Sequence, residues 1–225
     1  MKSILLIGLG RFGLYMAKRL QELGHEVLAV DCNETQVNEA LVFVTDAQIG
    51  DSTNEAFIQS LGVQNFDLCV VAIGEDFESS LETVALLADN GAQHILARAA
   101  TGIHERLLLR NGAENVIYPV KLAANYAATR FTTDHVVDYM ALTDDFSICE
   151  ITPPEDWVGH TIAELNVRKK YNINIIAVKE GKRMKSLPGP EYSFNRAETV
   201  MIMAHNQDLK RFLDCWKRKR REEKP

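Results

Sequence analysis

No stretch of the 225 residues approaches the roughly 20 consecutive apolar residues that a membrane-crossing helix requires, since charge breaks every hydrophobic run within about eight residues. If the protein acts at a membrane, something else must hold it there. Cysteine is scarce and scattered. The four, at positions 32, 69, 149 and 215, form no Cys-x-x-Cys pair, and no secretory leader precedes the first apolar run. They read as reduced cytosolic thiols, most of them buried. Basic excess is also missing: 25 Lys and Arg against 31 Asp and Glu leave a formal charge of −6, which argues against a general nucleic-acid binder. Catalytic signatures are absent as well. There is no Tyr-x-x-x-Lys pair, no Gly-x-Ser-x-Gly, no Walker lysine loop and no paired-carboxylate site. His160 and His205 are isolated, and none of the six histidines stands at the i, i+4 spacing of a helical metal pair, so no metal site is expected.

What is present begins at once. Ser3 to Ile7 is a short apolar run ending in Gly8-Leu9-Gly10-Arg11-Phe12-Gly13, the Gly-x-Gly-x-x-Gly spacing of a dinucleotide-binding turn. The first glycine permits a tight turn, the second lets backbone approach a pyrophosphate, and the third lets a helix pack on the strand. Phosphates would rest on that helix's N-terminus, where unpaired N–H groups and the macrodipole favour negative charge. Phe12, Met16, Leu20 and Leu23 recur at helical spacing, Gly24 stops the helix, and Glu26 to Val30 forms a second buried strand ending at Asp31. A carboxylate there accepts both hydroxyls of an adenosine ribose and repels a 2′-phosphate. With Cys32 rather than arginine after it, NADP is disfavoured against NAD(H), ADP or ATP.

Strands and helices then alternate through Tyr118. Six strands separated by helices, joined by right-handed crossovers, predict an α/β fold, a Rossmann-like doubly wound parallel sheet ordered 3-2-1-4-5-6. Ligands in such sheets sit at the carboxyl ends of the strands. Those ends supply the candidate cofactor residues: Gly8, Leu9, Gly10, Arg11, Phe12, Gly13, then Asp31, Cys32, Asn33, then Asp51 and Ser52, Ala72, Ile73 and Gly74, and Arg98. Asp51 would accept from the adenine amino group or cap the next helix. Gly74 would let the chain pass close to the nucleotide or would simply turn. Arg11 and Arg98 are the cations at the mouth, for a diphosphate or triphosphate or as solvated surface charges.

Three domains are expected: a nucleotide-binding N-lobe over 1–120, crossover helices over 121–140, and a small α+β C-lobe over 141–225. The crossover carries one apolar stripe at Leu122, Ala123, Tyr126, Ala127 and Phe131 and a second at Val136, Val137, Tyr139 and Met140. Such a surface needs cover, from its own sheet or from a second subunit. The C-lobe shows strands at Ser147–Ile151, Ile173–Val178 and Val200–Ala204, a capping box from Thr161 to Glu164, and a last helix with Leu209, Phe212, Leu213 and Trp216 inward. Five cations, Lys217 to Arg221, close that helix. They complement its dipole as a solvated tail, or meet anionic lipid or nucleic acid.

The glycine loop with Arg11-Phe12 inside it, Gly24 to Asp31, Val70 to Gly74, Gly112-Ala113 with Val116 to Pro119, and Leu165 to Arg168 together resemble the cytosolic regulatory subunits of Trk/Ktr-type potassium uptake systems. These carry an RCK domain in two lobes, and the resemblance covers nearly the whole chain. It implies a non-enzymatic gating-ring subunit that binds NAD(H), ADP or ATP, pairs through its crossover helix, and assembles into a ring, commonly an octamer. The ring would be held on the inner face of the membrane by a potassium-translocating partner. On this resemblance Arg11 meets the outer phosphates, Asp31 the ribose, and Asp51, Ala72 to Gly74 and Arg98 the adenine end. Val120 stands after Pro119 where ATP-responsive members carry a glutamate, which weakens the case for ATP with a divalent ion. Arg168, Asn174 and Pro190 fall near where some relatives bind cyclic di-AMP. The alternative from a different class is a small NAD-dependent oxidoreductase.

Overall fold

The computed structural model describes residues 1–143 and 145–222, the side chains of 217–222 excepted. In the first half, strand β1 (Ser3–Ile7) leads to α1 (Arg11–Glu22), β2 (Glu26–Asp31), α2 (Glu34–Ala40), β3 (Asp46–Ile49) and α3 (Glu55–Ser60). There follow β4 (Leu68–Val71), α4 (Phe77–Asp89), β5 (Ile95–Arg98), α5 (Gly102–Arg110), β6 (Asn115–Ile117) and α6 (Pro119–Thr132). The six strands form one sheet in the order β3-β2-β1-β4-β5-β6, every pair parallel.

The reason lies in β1. Its side chains alternate between the two faces, Ile4 and Leu6 joining one apolar cluster and Leu5 and Ile7 the other, and all four are buried. A strand apolar on both faces stays out of water only when helices cover both. α1 and α2 cover one face with Ala17, Leu20, Val37 and Ala40; α3, α4 and α5 cover the other with Ile58, Val84, Leu87 and Leu108. Local chemistry ends the helices where it should. Asn33, Asn54, Asp76 and Thr101 cap α2 to α5 through their side chains, and Gly62 follows α3 at φ +62°.

The second half continues through β7 (Val136–Ala141), β8 (Phe146–Ile151), α7 (Ile162–Leu165), α8 (Val167–Tyr171), β9 (Asn174–Glu180), β10 (Arg183–Ser186), β11 (Glu198–His205) and α9 (Asn206–Glu222). Its five strands make an antiparallel sheet ordered β10-β9-β11-β8-β7. β11 alternates buried and half-buried along its whole length, the mark of a strand with one face on a core. That core holds Ile151, Trp157, Ile173, Phe194, Ile202 and Phe212. Glu198 is buried within this lobe yet fully met, accepting from the Tyr192 hydroxyl at 2.6 Å and from the Asn195 N–H and Nδ2 at 3.0 Å each. The Thr161–Glu164 capping box forms as expected. The chain divides into two compact units, residues 1–122 and 123–225.

The structure corrects several readings. The crossover is not helical to residue 140: α6 ends at Thr132, His135 takes φ 71°, and Val136 to Ala141 form an edge strand. Two adjacent β-branched residues, Val136 and Val137, suit a pleated surface better than a helix, and the Arg130 Nη1 donates to the Val136 carbonyl at 2.7 Å across the turn. β10 carries no apolar pattern, because all four of its residues are exposed; the hairpin turn expected at Glu180-Gly181 forms, and backbone pairing to β9 makes the strand. Of the four thiols two are buried, Cys69 and Cys149, and two exposed, Cys32 and Cys215. The side chains of the Lys217 to Arg221 run lie outside the described residues.

Candidate functional site, the cleft at the carboxyl ends of the parallel strands

Gly8 leaves β1 at φ +94°, a conformation few other residues adopt, and a Cβ there would stand 2.9 Å from the Ile73 backbone nitrogen. The turn therefore lies hard against the end of β4. A methyl on Gly13 would overlap the Gly8 carbonyl oxygen, so the third glycine is what lets α1 start directly beneath the turn. Gly10 occupies the N-cap of α1 with no side-chain bond, and no acidic residue stands in the first turn. The helix thus opens with its N–H groups uncapped.

In front of it lies a cleft of about 430 Å³. Of the candidate cofactor residues it is lined by Gly8, Gly10, Arg11, Phe12, Asp31, Cys32, Asp51, Ser52, Ala72, Ile73, Gly74 and Arg98. Leu9, Gly13 and Asn33 do not line it. The Leu9 side chain is fully buried in the core, Gly13 packs under the turn, and Asn33 caps α2 by accepting from Thr35 N–H at 2.9 Å. Sequence reasoning missed Ile7, Gln36, Gly50, Thr53, Glu75, Asp76 and Ser79. Asp76 and Ser79 were legible in principle as an Asp-x-x-Ser helix start after the fourth strand. Gln36, on α2, left no such trace.

Three of the four carboxylates of the cleft, all but Glu75, are already engaged by backbone donors. Asp31 Oδ2 accepts from the Leu9 N–H at 2.6 Å and Oδ1 from the Asn33 N–H at 2.8 Å, bracing the glycine loop against β2. Asp51 does not cap α3; Asn54 does. Asp51 Oδ1 instead accepts from the Thr53 N–H at 2.9 Å and hydroxyl at 2.7 Å, bonds that hold its carboxyl below the usual range. Asp76 is held low in the same way by Ser79, first by its backbone N–H and then by its hydroxyl. Burial, and then the neighbouring Asp31 charge, push the Cys32 thiol up. Ser52 and Thr83 share a buried hydrogen bond at 2.8 Å, tying the turn after β3 to α4.

The cations lack an anionic partner. Among the described residues Arg11 and Arg98 make no ion pair, and the Arg98 Nε is buried without a partner. Gly74 has a reason the sequence did not suggest: a methyl there would overlap the Arg98 guanidinium, which lies across it. Strand order also places Arg98, on β5, to the opposite side of β1 from Asp31 and Asp51. An assignment of Asp51 and Arg98 together to the adenine end does not fit that order.

The second unit has its own hollow of about 260 Å³, lined by Arg168, Asn174, Asn166 and Pro188 among others. Pro190 lies outside it; its carbonyl accepts from the Ala163 N–H at 2.9 Å. Among the described residues no group of three or more His, Cys, Asp or Glu could hold a metal ion, and no helix is long and apolar enough to cross a membrane. Val120, in the first turn of α6, is 65% exposed.

Comparison with known proteins agrees with this architecture. Residues 4–119 match the TrkA-N domain and residues 147–214 the TrkA-C domain. The Ktr system potassium uptake protein C of Bacillus subtilis is 36% identical over 94% of this chain and 96% of its own. The crystal structure of the GsuK RCK domain superposes with a TM-score of 0.66 at 18% identity over 93% of this chain, and the GsuK channel bound to NAD with 0.67 at 17% over 92%. The present chain spans only 46% and 38% of those two longer chains, so they speak for the fold alone. With a parallel-sheet lobe and an antiparallel-sheet lobe each in place, and both domain models matched in order, this chain belongs to the TrkA-N/TrkA-C family of potassium uptake proteins.

Proposed function

We propose that the chain is a regulatory subunit of a potassium uptake system, binding an adenine nucleotide in the cleft and passing its presence to a membrane-embedded potassium-translocating partner. Residues 1–120 are the nucleotide-binding lobe, α6 alone is the crossover, and the second unit completes the subunit. The observation that carries this reading is electrostatic. An uncapped helix N-terminus and two arginines without ion pairs open on a cleft in which three of the four carboxylates, Asp31, Asp51 and Asp76, are already held by backbone donors. Such a site favours phosphate. Asp31, at the carboxyl end of β2 beside the glycine turn, disfavours NADP and leaves NAD(H), ADP and ATP.

No bond need be made or broken. A ligand moves the equilibrium between two shapes of an assembly by its difference in affinity for them. The assembly itself is implied by α6, none of whose residues is buried although Val120, Leu122, Tyr126 and Phe131 are apolar or aromatic. A helix of this kind is covered by a second copy, giving a dimer and then a closed ring, an octamer by family resemblance. The ring is held on the inner face of the membrane by its partner.

The test is thermal unfolding with NAD, NADH, ADP and ATP alongside the mass in solution. Ligand at a hundred times its Kd stabilises by about 2.7 kcal/mol. For a chain of this size that corresponds to a shift of roughly 5–10 °C. The expected result is a multi-subunit mass and a shift of this order with at least one of the four. A solitary subunit indifferent to all of them, or hydride turnover with a small substrate, overturns the reading.

A further inference from the structure

We propose that Arg98 is the residue by which the cleft selects ligands carrying a second phosphate, an inference that rests on the nucleotide reading of the site. Its position follows from the sheet. β5 lies beyond β4, which lies beside β1, and neighbouring strands are about 4.8 Å apart, so the Arg98 backbone stands roughly 10 Å from the glycine turn. Its side chain comes back part of that way. The guanidinium crosses Gly74 at the end of β4, where any side chain would overlap it, and its carbon lies 5.6 Å from the centroid of the Phe12 ring in the first turn of α1.

The cation is thus held about one strand beyond the place where a first phosphate meets the α1 N-terminus, on the side away from Asp31. A nucleotide whose ribose is held at Asp31 extends its phosphates across the turn toward it. The guanidinium lies beside the Phe12 ring and Gly74, and its fork of N–H donors matches a phosphate. Among the described residues Arg98 makes neither an ion pair nor a hydrogen bond, and its Nε is buried. A buried donor without a partner is rare enough in a folded protein to need an explanation. Here an arriving phosphate supplies the missing acceptor, bidentately. Of the cleft's carboxylates, Asp31, Asp51 and Asp76 accept from backbone N–H groups, and among the described residues neither they nor Glu75 make an ion pair with Arg98.

The experiment compares ADP with AMP by calorimetric titration of the full chain, wild type, Arg98→Gln and Arg98→Lys. Loss of charged hydrogen bonds should weaken ADP about ten- to a hundredfold in Arg98→Gln while changing AMP less than about twofold, with Arg98→Lys recovering part of the ADP loss. Gly74→Ala, which displaces the guanidinium without removing it, should lower ADP binding in the same selective manner. Equal losses for ADP and AMP, or none for either, overturn the assignment while leaving nucleotide binding standing. No binding of any adenine nucleotide to the wild type overturns the reading beneath it and this inference together. Melting of each variant without ligand separates these outcomes from misfolding: if both Arg98 variants unfold early, Gly74→Ala decides.

Discussion

Asp31 offers the sharpest single perturbation, because the structure gives it work in the absence of any ligand. The sequence leads one to expect that Asp31→Ala abolishes ligand stabilisation and leaves the fold intact. The carboxylate, however, accepts from the N–H of Leu9, a residue 0% exposed, and from the N–H of Asn33. Alanine leaves the first of these donors buried and unpaired, which costs about 1–3 kcal/mol, and removes the second bond at a cost of about 1 kcal/mol. The free protein should therefore lose about 2–4 kcal/mol, or roughly 5–15 °C in the unfolding transition of the first lobe. Asp31→Asn keeps one carbonyl oxygen for the Leu9 N–H and should recover most of that loss. Both variants should lose the stabilisation by ADP, since neither offers a charged acceptor to the ribose hydroxyls. Differential scanning calorimetry with and without ADP reads both effects in one experiment. An alanine variant that unfolds with the wild type in the absence of ligand refutes the bracing role. One that keeps the full ADP shift removes Asp31 from the site.

Gly13→Ala should destabilise the first lobe by at least about 1–3 kcal/mol and abolish nucleotide binding, since its methyl would overlap the Gly8 carbonyl oxygen and push α1 off the turn; denaturant unfolding and titration measure the two. His104, 1% exposed on α5, has its pKa lowered from 6.5 by burial, so the unfolded chain binds the proton more readily. Stability contributed by the neutral ring is complete above pH 6.5 and lost as pH falls from there through the lower folded value. His104→Gln should flatten that part of the stability–pH curve, and an unchanged slope counts against the assignment. Leu122→Asp with Phe131→Asp, at positions 60% and 77% exposed on α6, should reduce the solution mass while sparing thermal stability of the separate chain, as light scattering and calorimetry would show.

The legibility of the site divides along the same line as these predictions. The glycine turn, the strand before it, the helix after it and Asp31 at the next strand end were readable because each depends on residues within a few positions of one another. The order of the six strands was readable too, because right-handed crossovers leave few choices once the elements are known. In the second lobe the capping box of Thr161 and Glu164 and the apolar stripe of the last helix were legible for the same local reason. β7 was misread, since Val136 to Met140 satisfy a helical spacing as well as an alternating one, and only pairing with β8 decides between them.

What the chain by itself determined was therefore the identity of the elements and the sign of the site: a strand, a glycine turn and an open helix end that together favour phosphate. Tertiary structure decided which charges remain available. Asp31 is consumed in part by Leu9, Asp51 by Thr53, and Arg98 is left over because Gly74 gives it room and nothing answers its Nε. The first and last of these depend on groups that meet only after the sheet has assembled, from positions 22 and 24 residues apart for Asp31 with Leu9 and Gly74 with Arg98, whereas the Asp51 bonds to Thr53 are local. Spacing along a chain prescribes periodicity; the balance of paired and unpaired charge is settled by contact in space.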